Sequence, residues 1–177
     1  MKNQIRQAVS RAFCRLKRDD GYLFGCKIEK EFGYDSRKLH EVCINHRLAI
    51  YLADFILPII SGANQEYFVD IEFNREGINK KETRLCDGKE LLVRPDIIIH
   101  NRKSGKQKGN FLVVECKKSG APREEICCDK KKIRAFMENG RYKYSFGLQV
   151  VYGKDEIKGT LFYRNGQAIE QEEIPTQ

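Results

Sequence analysis

Residues 111–118 read FLVVECKK, an apolar run that carries Glu115 and Lys117 two positions apart. In a strand, residues i and i+2 share one face. An acid and a base would then stand together at the end of a segment whose first half is fit for full burial. Desolvating both costs free energy unless the site uses them. Upstream, LLVRPDIIIH at residues 91–100 puts Asp96, Ile98 and His100 on one face by the same alternation. Pro95 has no N–H and is tolerated at a strand start or a bulge, so Asp96 is expected where regular pairing loosens. If the two strands pair, Asp96 lies close to Glu115 and Lys117, and three ionisable groups converge beside apolar surface.

A further carboxylate comes from a helical pattern. Glu41, Ile44, Leu48, Leu52 and Phe55 recur on one helical stripe, which puts an acid in line with core residues. Near a helix N-terminus negative charge is stabilising in any case, so this placement alone does not demand a function for Glu41. Clustered carboxylates without thiols or imidazoles suit a hard cation, Mg²⁺ or Mn²⁺, better than Zn²⁺. A cation held by Asp96 and Glu115 would polarise a phosphate oxygen and acidify a bound water, while Lys117 would offset charge developing on the phosphorus centre. Asp70 and Glu72 share a strand face that is expected to be solvated. His100, two pleats beyond Asp96, is expected to be a strand-end histidine and not a base.

The elements that must bring these residues together follow from periodicity. Ile5, Ala8, Val9, Ala12, Phe13 and Leu16 predict a helix over residues 4–17, and Ser36 is placed to cap a second helix running to about Leu57, before Pro58. Strands are predicted at residues 67–74, 91–100 and 111–118, the last two joined by a long polar hairpin loop at 101–110. A helix over 123–139, ending at Gly140, is followed by strands at 144–153 and 158–164. Three sequential strands favour an antiparallel meander, and the helix after the third serves as a crossover that sets the fourth strand parallel to the third. The expected fold class is α/β, with a central mixed sheet flanked by helices.

At 177 residues the chain reads as a single domain: a helical extension over 1–35, a core over 36–153, and a terminal strand and tail over 154–177. Its longest apolar segment, LAIYLADFILPII, is broken by Asp54 and Pro58, and residues 1–20 lack the apolar centre of a signal peptide. A chain without a membrane span, located in the cytoplasm, is expected. Seven cysteines with no export signal argue against a disulfide framework, and no spacing forms a convincing zinc or iron–sulfur set. The excess of 33 Lys and Arg over 25 Asp and Glu, a net charge of +8, favours anionic partners, nucleic acid foremost. Arg75, Lys81 and Lys130 are the candidate phosphate contacts.

Pro95-Asp96 followed by Glu115-x-Lys117 resembles the PD-(D/E)xK signature of the restriction-endonuclease-like nuclease superfamily. The element order from residue 36 to about 153 resembles that family's αβββαβ core. The segments HEVCINHRLAIYL, VDIEFNREG, VRPDIIIHNR and FLVVECKK together resemble a set of small bacterial nuclease-like proteins, over roughly the middle two-thirds of the chain. The resemblance implies that Asp96 and Glu115 are metal ligands, joined by the backbone carbonyl of Cys116. It makes Lys117 the catalytic lysine and Glu41 the helix-borne acid. The expected activity is Mg²⁺-dependent hydrolysis of phosphodiester bonds, with Mn²⁺ a substitute. Nucleic acid is the expected substrate, DNA before RNA, and a homodimer is the arrangement that would let it cut both strands of a duplex. The alternative is a binding module of the same fold that grips nucleic acid or a protein without cutting.

Overall fold

The computed structural model describes residues 1–23, 41–62, 66–72, 94–102, 109–140, 142–153 and 156–175, with short backbone segments at 75–76, 79–80, 82–84 and 90–92. The first helix, α1 (Lys2–Asp20), buries the expected stripe from Ile5 to Leu16, along with Asp20. A second, α2 (Glu41–Ile60), buries Ile44, Leu48, Leu52 and Ile56 against it. The expected capping of α2 by Ser36 lies outside the described residues. Pro58 does not stop this helix: the turn closes with Ser61 N–H donating to Leu57 O at 2.9 Å, so the proline costs one backbone bond near the end. By length and composition α2 is apolar enough to cross a membrane, the one such helix among the described residues.

Strand β1 (Phe68–Ile71) is followed by two short hairpins, β2 (Arg75–Glu76) with β3 (Asn79–Lys80), and β4 (Glu82–Arg84) with β5 (Glu90–Leu92). Then come β6 (Ile97–His100), β7 (Asn110–Lys118), the helix α3 (Arg123–Glu138), β8 (Phe146–Tyr152), β9 (Ile157–Asn165) and β10 (Ala168–Ile174). The central sheet has six strands in the order β1-β6-β7-β8-β9-β10. All neighbours are antiparallel except β7 and β8, which run parallel because α3 carries the chain back across the sheet. The architecture is α/β, a mixed sheet flanked by helices.

Residues 91–100 are not one strand. Leu91 and Leu92 pair in the outlying β4–β5 hairpin, and β6 begins only at Ile97. Pro95, with no N–H to give a ladder, stands at the break. The tail is more regular than its composition suggests, since β10 extends the sheet as an edge strand in register with β9. Charged side chains are a usual guard on such an edge, and Glu170, Glu172 and Glu173 supply it.

Alternation along β7 sends side chains into two cores. Leu112, Val114 and Cys116 pack with α1 and α2, whereas Val113 packs with Ile98, Phe162 and the α3 residues Ile133, Phe136 and Met137. Burial on both faces explains why β7 reads as a continuous apolar run. Two glycines let the helices approach. A Cβ at Gly147 would overlap Ile133 of α3, and one at Gly159 would lie 2.5 Å from Phe13 of α1.

Cys14, Cys43, Cys116 and Cys127 are free thiols, but Cys128 is disulfide-bonded, contrary to the expectation from composition.

Candidate functional site

Asp96 occupies a bend just ahead of β6. The β6–β7 register pairs Ile97 with Val114 and Ile98 with Val113. One further step brings Asp96 opposite Glu115, and partners across a ladder project to the same face. The bend is fixed from both sides: the Asp96 carbonyl accepts the Glu72 N–H at 2.9 Å, and Asp96 Oδ2 accepts the Cys116 N–H at 2.7 Å. Residues 96, 115 and 117 are therefore brought together on the face covered by α3.

Glu41 arrives from the other layer. It opens the described part of α2, and its Oε1 accepts the Lys118 N–H at 2.9 Å, at the end of β7. One turn on, Asn45 Oδ1 accepts a bond of 2.9 Å from the buried Tyr152 hydroxyl, which also lies 3.3 Å from Cys116 Sγ. These contacts fasten the start of α2 to the ends of β7 and β8.

The structure adds two residues of α3 to the site: Asp129, and Lys132, which belongs to a basic cluster at 130–132 whose default expectation from sequence is a solvated face. Asp129 is 1% exposed. Its Oδ1 takes Lys132 Nζ at 2.8 Å, and its Oδ2 lies 3.6 Å from Lys117 Nζ with no hydrogen-bond partner among the described residues. Lys132 Nζ reaches Glu115 Oε2 at 3.5 Å. A signal for Asp129 was present: it interrupts the stripe formed by Ile126, Ile133 and Phe136, as Glu41 tops the stripe of α2.

Charge in this cluster is strongly coupled. Burial, and after it the charge of Asp96, pushes the Glu115 carboxyl up to about 8 against the opposing pull of Lys132. Burial also lifts Asp96 to about 6, although the Cys116 N–H and Lys117 act to lower it. Burial disfavours the Lys117 ammonium, but Asp129, Glu41 and Asp96 outweigh it and its pKa is raised. Lys132 is raised in the same way, with Glu115 and Asp129 overcoming burial. The Cys116 thiol is pushed well up by burial, so it stays protonated and leaves only its backbone to act.

Ionised, the carboxylates of Glu41, Asp96, Glu115 and Asp129 outnumber the ammoniums of Lys117 and Lys132 by two charges, which is the charge of one divalent cation. The oxygen-only donor set fits such an ion in kind. Among the described residues, no three His, Cys, Asp or Glu side chains are assembled closely enough to hold an ion by themselves. Backbone N–H groups of β7 already occupy one oxygen each of Asp96 and Glu41.

The other sequence candidates are placed differently. Lys130 is half-buried on α3, while Lys81 and the Arg75 side chain lie outside the described residues. Asp70 is not on a solvated face: it bonds His100 Nε2 at 2.7 Å and Arg102 Nε at 2.9 Å, and the Arg102 guanidinium sits 4.8 Å from the centre of the Phe68 ring. Burial raises the Asp70 pKa, but Arg102 and His100 more than reverse this and leave it lowered. That ion cluster engages His100 at the strand end. Compared with family models, curated proteins and solved structures, the chain matches none.

Proposed function

We propose that this protein is a metal-dependent nuclease of the PD-(D/E)xK type, with a restriction-endonuclease-like core formed by α2, β1, β6, β7, α3 and β8. One observation carries the reading: Asp96 and Glu115 are set against each other at the end of an antiparallel pair, with Lys117 two residues on along the same face. The parallel return of β8 through α3 supports the same core.

In this reading Asp96, Glu115 and the Cys116 carbonyl hold a Mg²⁺ ion, for which Mn²⁺ substitutes. The N–H and C=O of one extended residue leave the strand on the same edge, so the Cys116 carbonyl faces the side on which its N–H meets Asp96. The ion supplies polarisation of the scissile phosphate and acidification of the attacking water. Lys117 orients that water and offsets charge as it develops on the phosphate oxygens. Glu41, anchored by the Lys118 N–H, stands behind as the acid that steadies Lys117. No residue of the cluster is an exposed nucleophile, in keeping with hydrolysis without a covalent intermediate. The net charge of +8 suits a nucleic-acid partner, DNA in the first instance. Cutting both strands of a duplex calls for two copies.

The test is cleavage of plasmid and single-stranded DNA under Mn²⁺ titration, with Asp96→Ala and Lys117→Ala alongside the wild type. Metal-dependent cutting by the wild type, lost in both variants, is the expected result. Equal activity in all three proteins would assign the cutting to a contaminant and end the proposal. A second reading, a binding module without cleavage, is favoured by one observation: the described residues contain no preassembled three-ligand set. Binding of the same DNA with no cutting at any Mn²⁺ concentration would decide for it.

A further inference from the structure

The sheet brings one acid and one lysine of β7 under α3, and α3 answers with one acid and one lysine of its own. The four make a chain of alternating charge. Lys117 lies 3.6 Å from Asp129 Oδ2, Asp129 Oδ1 lies 2.8 Å from Lys132, and Lys132 lies 3.5 Å from Glu115 Oε2. Asp129 is one of the two inner members of that chain and its most buried, at 1% exposure. A carboxylate so placed is costly unless both oxygens are used. One is satisfied by Lys132. The other has no hydrogen-bond partner among the described residues, and Lys117 lies 3.6 Å from it, slightly too far for a direct bond.

We propose that Asp129 is the positioning residue of this site: one carboxylate, buried beneath α3, aims the Lys117 ammonium toward Asp96 and Glu115 while its second oxygen tethers Lys132 beside Glu115. The need for such a residue follows from the flexibility of lysine. Its four-carbon stem loses rotamer entropy when it is held, and an ammonium is a point charge with no geometry of its own to fix a direction. Asp129 can impose that direction because its helix is itself fixed. Gln149, which pairs with Glu115 across the β7–β8 ladder, donates from Nε2 to the Ile126 carbonyl at 2.6 Å, and Ile133 packs directly over Gly147. The oxygen facing Lys117 is thus carried on a turn that is pinned to β8. Lys132, three residues on, occupies the other oxygen and leaves a single one for Lys117. In this arrangement Asp129 touches neither water nor phosphate; it acts through Lys117.

The assignment rests on the nuclease reading for its cleavage readout alone, so the test uses two readouts on the full chain. The first is the NMR order parameter of the Lys117 Cε group in ¹³C-lysine-labelled protein, which needs no activity. In Asp129→Asn, which keeps the side-chain size, it should fall well below the wild-type value, and in Lys132→Met it should be retained because Asp129 remains. The second is Mn²⁺-dependent plasmid cleavage. Here Asp129→Asn should lower kcat by about a hundredfold with KM and Mn²⁺ affinity unchanged, the signature of a misplaced group and not of a lost fold. An ordered Lys117 in Asp129→Asn, or a disordered one in Lys132→Met, overturns the assignment. If the wild type cuts nothing, the nuclease reading fails, and the Lys117 order parameter alone decides the role of Asp129. If Asp129→Asn fails to fold, the result for Lys132→Met decides it.

Discussion

Glu115 lies beneath α3 with its carboxyl pushed up to about 8, and Asp96 beside it rises to about 6. A carboxyl whose folded pKa exceeds its unfolded value binds more protons in the folded state, so its contribution to stability declines as pH rises between the two values. For these two acids that window runs from about pH 4, an ordinary carboxylate value, to about pH 8. The metal-free protein should therefore melt at a higher temperature at pH 5.5 than at pH 8.5. Glu115→Gln should flatten the slope and stabilise the alkaline protein by something on the order of 2–4 kcal/mol. Differential scanning calorimetry across that range checks both; a melting temperature that rises with pH in the wild type would contradict the coupling described. If the proposed metal site is real, Mn²⁺ should take the place of the proton, binding more tightly as pH rises from 6 to 8 and releasing a proton that calorimetry in two buffers will detect. Asp96, Glu115 and Lys117 were legible because charge inside an apolar strand is anomalous and alternation dictates which charges share a face. Asp129 carried the same anomaly on a helical stripe. The partnership of Lys132 with Glu115 was not legible, because a long side chain crossing between layers leaves no trace in local periodicity.

The elements hold these groups in place through close backbone approach and a few buried polar bonds. Gly147→Ala must displace Ile133, and with it the turn of α3 that carries Asp129. It should cost about 1–3 kcal/mol, the usual penalty of overpacking, whereas Gly140→Ala, with no neighbouring atom within 4 Å, should be close to neutral. Urea melts of the two variants make the comparison. Tyr152→Phe removes the 2.9 Å bond to Asn45 and leaves a buried amide oxygen without its donor. About 1–3 kcal/mol should be lost, again read by urea melts, and Glu41 at the start of the same helix should loosen with it. The helices and the β6–β7–α3–β8 crossover were readable from hydrophobic spacing. The break in residues 91–100 was not, because β-rich text on either side of Pro95 disguises two strands in different sheets. Strand β10 escaped notice for the opposite reason. An edge strand can be polar on both faces, and AIEQEEI has no apolar alternation to betray it.

At the scale of the whole molecule, helices cover both faces of one sheet, and the cluster of acids and lysines sits where β6, β7 and the start of α2 meet. The fold class followed from element order, since a meander and one crossover admit few arrangements. The N-terminal helix packs its apolar stripe into the core beneath β9, with Phe13 against Gly159. If the surplus of eight positive charges serves a DNA partner, affinity should fall linearly on a log–log plot against salt, with a slope of about −0.9 for each phosphate contacted. Fluorescence anisotropy with a labelled duplex from low to physiological salt measures it, and a slope near zero would speak against DNA. The sheet also has two unlike margins. At β10 it ends in three glutamates, of which Glu172 is paired with Lys2 at 3.2 Å while Glu170 and Glu173 are tied to side chains of β9. If the protein binds DNA as proposed, the duplex is expected at the opposite border, where β1 lies beside the strand that follows Asp96.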